Sequence, residues 1–313
     1  MRRLFAVKRN LTLKLAIQLA LMGLLFGVSA QVRAAACCGG GLPVPALVLG
    51  DERANVSTTL SYSTVGTDVN ADGIWQHRQI SEQAQTLRLD SARILSDRTQ
   101  LGASLPIIRR SHADDSAAGI GDVAVNGGYE FLPEWEYSAW KPRGLGYLQL
   151  TLPTGRSIYE ASRVDQIDSR GRGFWALGTG VALTKIRGAY DGILLVDVHR
   201  SFSKEAKGTT AGDLQLTPGW GGGLTFGAGR TYKDLRLGAS LAWIYEDGTK
   251  VSGAVNSDGV LSRYAVAAAS LIYTPSRDWS ASLSYSDQTL FGSPANTPLA
   301  QAVQVSYQHR WPR

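Results

Sequence analysis

The side chains of this 313-residue chain that could do chemistry are few. His112 stands between Ser111 and Ser116 with Asp114 and Asp115 beside it, which supplies the residue types of a nucleophile, a base and an orienting carboxylate. No order among them singles out a triad, so a hydrolase built on His112 competes with a solvated polar loop. Asp68-Val69-Asn70-Ala71-Asp72-Gly73 spaces side-chain oxygens at alternate positions before a glycine, as the first half of a calcium loop does. Its closing bidentate Glu is replaced by Gln79, and a solvated turn competes with a weak ion site of Asp68, Asn70 and Asp72. The other histidines, His77, His199 and His309, have no metal-ligand spacing. Arg156, Arg163, Asp165, Asp168, Arg170 and Arg172 charge one stretch. Folded into a mouth, they would set a transverse field that selects solutes; left outside, they would meet lipopolysaccharide. No cofactor is called for.

Cys37 and Cys38 sit side by side before three glycines. Cleavage just before Cys37 would leave an acylated N-terminus. A vicinal disulfide or thiol–metal contact, and a plug or tail without chemistry, are the other two readings. What precedes them is an export leader. Arg2, Arg3, Lys8, Arg9 and Lys14 make a basic start, Leu15 to Val28 is an apolar run shorter than the ~20 residues of a membrane-spanning helix, and Val28-Ser29-Ala30 suits cleavage. Residues 1–30 therefore read as a signal peptide, with cleavage as late as 36 possible, and 31–53 as a Cys/Gly-rich tail. The formal net charge of +6 loses the five basic residues of the leader and falls to +1, so no nucleic-acid partner follows from it.

The rest, 54–313, is organised by alternation. In residues 119–155, Val123, Val125, Tyr129 and Phe131 share one parity, while Asp122, Asn126 and Glu130 take the other. Leu148, Leu150 and Leu152 then alternate with Gln149 and Thr151. Leu235, Leu237, Ala239, Leu241 and Trp243 do so with Arg236 and Ser240. About twelve such segments follow one another, each about ten residues long, the length that a tilted strand needs to cross the hydrocarbon. Short turns and long polar loops are interleaved, and aromatics gather near both ends of the strands.

This is the grammar of an all-β chain, a transmembrane antiparallel β-barrel in the outer membrane of a Gram-negative bacterium. Its surroundings would be outer-membrane lipid and lipopolysaccharide, and barrel assembly machinery would insert it. The reading is a channel for small molecules, with Asp122, Asn126, Glu130, Gln149, Thr151, Arg236 and Ser240 lining the lumen. An outer-membrane enzyme and a filled structural barrel that docks a periplasmic partner through its tail are the competing classes.

The stretches GIGDVAVNGGYEF, LQLTLPTGRS and GRGFWALGTGVALTK, in this order and spacing, resemble the outer-membrane barrel family named for meta-pathway phenol degradation. The resemblance runs from Gly119 to the C-terminus at motif level. It implies a transporter of small hydrophobic or aromatic compounds. Many barrels of this type finish on an aromatic residue, and this chain departs by ending Trp311-Pro312-Arg313.

Overall fold

The computed structural model describes residues 44–209, 212–254 and 256–312; the leader and Cys37, the lipidation candidate, lie outside the described residues, as does Cys38. In chain order the strands are β1 (Glu52–Val69), β2 (Trp75–Ile94), β3 (Thr99–His112), β4 (Asp115–Ile120), β5 (Val123–Leu132), β6 (Arg143–Leu152), β7 (Ala176–Arg187), β8 (Tyr190–Ser201), β9 (Lys204–Thr209), β10 (Gly212–Thr217), β11 (Trp220–Tyr232), β12 (Leu235–Glu246), β13 (Lys250–Gly253), β14 (Ser262–Tyr273), β15 (Trp279–Asp287) and β16 (Thr297–Pro312). Both β4 and β5 pair with β3 and act as one wall strand. The wall is thus twelve antiparallel strands, and pairing of β1 with β16 and of β2 with β3 closes the ring. β9, β10 and β13 make a separate three-stranded sheet.

Alternation sorts the side chains inside out. Leu237 is 67% exposed while its neighbour Arg236 is 4% exposed, an arrangement that stands only when hydrocarbon covers the outer face. Trp135, Tyr137 and Trp140 project from the turn after β5, and Arg98 and Arg187 stack on Trp135 and Trp140 at 4.8 and 4.6 Å.

Four local features go beyond the plain alternation. The polar stretch after Val65 is mostly strand, because β1 and β2 continue as a ribbon to a tight turn at residues 70–74, where the Asn70 carboxamide oxygen accepts the N–H groups of Asp72 and Ile74. The ladder of β1 and β2 runs without a bulge near Ser91, and its register shifts between Val65 and Thr67. The charged stretch around His112 is a hairpin of β3 and β4. Leu214, Leu216, Leu224 and Phe226 share one parity as a single strand would, but the run is cut at Pro218-Gly219, where proline has no N–H for a ladder, so Leu214 and Leu216 pack with Phe174 and Ala206 by the small outer sheet.

The least expected element is the segment 44–50. It leaves the start of β1 on the short-turn rim and climbs inside the ring. Leu47 is buried among Leu145, Tyr147, Ala182 and Leu195, and Val44 packs against Ala242 and Val266.

Candidate functional site

The segment 44–50 forms the floor of the site and is held almost wholly by its main chain. Gln100 reads Val48 at two points, accepting its N–H at 2.6 Å and donating to its carbonyl at 3.2 Å, as a neighbouring strand would. Asn126 donates to the Ala46 carbonyl at 2.7 Å and Asn55 to that of Leu47 at 3.4 Å. Arg143 grips both oxygens of Glu130 and also donates to the carbonyls of Leu49 and Gly50 at 3.1 and 2.8 Å. Gly102 permits this approach, since a Cβ there would collide with the Ala46 carbonyl oxygen. Each buried main-chain group left without its partner would cost about 1–3 kcal/mol, so these contacts fix the segment's path.

Above this floor, towards the long-loop rim, lies a cavity of about 310 Å³. Pro45, Tyr147, Phe174, Ile244 and Tyr264 give it apolar and aromatic walls. Its polar side carries Asp122, Gln149, Thr151, Arg172, Asp197, His199 and Glu246. Arg172 Nη1 lies 2.9 Å from Glu246 Oε1 and 3.0 Å from His199 Nε2, and His199 also faces Asp197 at 3.9 Å. Tyr147 fits because residue 180 is glycine, where a Cβ would strike the tyrosine hydroxyl.

The charged stretch after β6 is a strap over the mouth, and Asp122 ties it down. This carboxylate accepts the N–H of Gly155 at 2.9 Å, of Arg172 at 2.7 Å and of Gly173 at 3.1 Å. Thr154 Oγ1 accepts the Val123 N–H and donates to the Gly121 carbonyl. The Gly-x-Gly-Asp and Pro-Thr-Gly motifs are therefore two sides of one knot. Within the strap, burial pushes the Asp168 carboxyl up, but the Ser162 N–H, the Arg156 guanidinium, the Arg163 N–H and the Ser162 hydroxyl override it and hold it well below the usual carboxylate range.

The candidate residues divide accordingly. Asp122, Gln149 and Thr151 line the cavity; Asn126 and Glu130 serve the segment below; Arg236 pairs with Asp191 in a buried bidentate contact; and Ser240, paired with Gly227, stands away from the cavity. Of the strap residues only Arg172 reaches the cavity. Arg156 and Asp168 bind each other, Arg163 reaches Asp115, Asp165 meets His112, and Arg170 donates to the Ala118 carbonyl. His112 turns its second nitrogen to the Ile80 carbonyl at 3.3 Å, not to Ser111 or Ser116. Asp68 is taken by Arg78, and Asn70 spends its oxygen on the turn. Among the described residues no three or more His, Cys, Asp or Glu side chains are grouped to hold a metal ion. Sequence reasoning missed Asp197, His199, Tyr147 and Tyr264 as a set. Their parity in β8, β6 and β14 was readable, but not their convergence.

A closed ring of twelve antiparallel strands, apolar outside and polar within, is an outer-membrane β-barrel fold. Among solved structures the chain is similar to the COG4313 outer membrane channel from Pseudomonas putida F1, with a TM-score of 0.67 at 15% identity over 88% of this chain and 99% of that one. Looser likenesses include the deltaS2 mutant of the TodX monoaromatic hydrocarbon channel (TM-score 0.47, 13% identity, 85% of this chain and 96% of that) and the KdgM porin (0.41, 9%, 81% and 99%). No protein-family model and no curated protein matches the chain, so the phenol-degradation resemblance rests on its motifs.

Proposed function

We propose that the protein is a channel of the outer membrane that takes up a small apolar or aromatic solute from the long-loop side. The observation that carries this reading is a solute-sized cavity inside the ring, walled by Phe174, Tyr264 and Tyr147 and floored by a segment of the protein's own chain. The fold it shares with the COG4313 channel supports it. On this reading Asp122, Gln149 and Thr151 line the upper path and Arg172 narrows it. Asn126, Glu130 and Arg236 belong to the lower path, which opens when the segment 44–50 moves aside. Outer-membrane lipid and lipopolysaccharide surround the wall, and the barrel assembly machinery inserts it.

The filled lower lumen also favours a second reading, a structural barrel with no conduction. Planar-bilayer recording decides between them. The mature chain should give small unitary steps, and a chain lacking residues 31–50 should give steps several-fold larger. Defined steps from neither chain would leave the structural reading standing and overturn the channel.

A further inference from the structure

We infer that the cavity selects solutes that join a compact apolar body to a cationic or hydrogen-bond-donating head, and turns away carboxylates. This rests on the cavity being a station on the solute's route. Its charged lining is unequal: Asp122, Asp197 and Glu246 bring three carboxylates, against one guanidinium from Arg172 and one imidazole from His199. The balance is negative whichever form His199 takes.

The cations are also engaged from within. Arg172 and His199 both lie against the same Glu246 oxygen, at 2.9 Å each. Asp122 is bonded by main-chain N–H groups, which orient it without cancelling its charge. A solute's carboxylate would therefore compete with Glu246 for these cations and meet Asp122 and Asp197 in the same space, while an ammonium or hydroxyl finds acceptors in place. A second observation points to a ligand independently. Tyr147 is only 6% exposed and lines this cavity, and among the described residues nothing hydrogen-bonds its hydroxyl. A buried phenol placed this way can accept from or donate to a ligand in the same space, so it marks a polar ligand while the carboxylates set the preferred charge. Phe174, Tyr264 and Ile244 complete the selection by taking the apolar body, and an aromatic face welcomes a cation.

The test is a titration of the mature, full-length protein in detergent with benzylamine, benzyl alcohol and benzoate, three compounds of one shape and three charges. Benzylamine should bind most tightly, benzyl alcohol next, and benzoate at least about tenfold more weakly than benzylamine, the factor expected of one like charge in a partly desolvated site. Asp197→Asn combined with Glu246→Gln should shrink that ratio towards one. Benzoate binding as tightly as benzylamine, no binding of any of the three, or an unchanged ratio in a folded double variant would each overturn the inference. The ranking on the wild-type chain needs no variant, so a variant that fails to fold does not spare the proposal. Bilayer recording separates the two readings: binding in the expected order without current steps keeps the selectivity and sinks the channel, whereas conduction without binding sinks the selectivity alone.

Discussion

The two halves of the lumen are built from the same alternating strands and end in opposite states. In the short-turn half, Glu130 holds Arg143, Asp191 holds Arg236 and Asp90 holds Arg88, and the carbonyls of residues 46–50 are matched one by one. In the long-loop half, carboxylates outnumber cations around open volume. The lower half thus pairs its charges one to one, and the upper half leaves carboxylates in excess. Alternation alone does not separate these roles, since Arg236 and Asp197 both obey the inward parity.

That contrast can be attacked from the strong side first. Arg236→Ala removes one partner of a buried pair and should cost about 3–5 kcal/mol by denaturant unfolding in detergent, whereas Glu246→Gln in the upper half should stay within about 1 kcal/mol of wild type. Equal losses would erase the distinction. Next in size, Gln100→Leu leaves the N–H and carbonyl of Val48 unmatched. With about 1–3 kcal/mol at stake for each, on the channel reading it should raise the time spent in a large-conductance state by tenfold or more in bilayer recording.

The strap gives a smaller effect, and its sign follows from Asp168. The bonded form is the charged one and its carboxyl is held low, so its contribution is whole above the ordinary aspartate value of about 4 and is lost only as the pH falls below that. Protease cleavage within residues 153–175 should therefore be equally slow from about pH 8 to about pH 5 for wild type. Asp168→Asn should be cut faster throughout. Slow cleavage of that variant would mean that the knot at Asp122 alone holds the strap. The smallest effect concerns the turn at Asp68, Asn70 and Asp72: with Asp68 on Arg78, added calcium or a chelator should leave the unfolding midpoint unmoved.

Much of the wall was legible because a strand between lipid and water must alternate with period two, and Leu235 to Tyr245 does so without a break. Strands beyond the membrane lose that signal. The β1–β2 ribbon is polar on both faces, so its sequence reads as a loop. The cut between β10 and β11 was masked because Leu214 and Leu216 keep the parity of Leu224 by coincidence of spacing. The segment 44–50 carries no period at all. Its partners Gln100, Asn126 and Arg143 lie far along the chain, and nothing in Val-Pro-Ala-Leu-Val-Leu-Gly announces a side-chain amide waiting for its backbone. Asp122, Gln149 and Thr151 were found by parity, but the cavity they share with Asp197 and Glu246 depends on how the ring curves.

The pairing of Glu52 with Pro312 makes the junction of β1 and β16 the seam of the cylinder, and Gly50 lies just before it. Zipping that seam joins the most distant parts of the described chain, the most entropically demanding closure in the molecule. If the preceding residues already lie within when the last ladder forms, they are sealed like a cork set before the bottle is blown; if not, a free end must feed upward through the finished rim. The order of these two events, more than any single contact, decides whether the lower half of a newly closed ring is filled or empty.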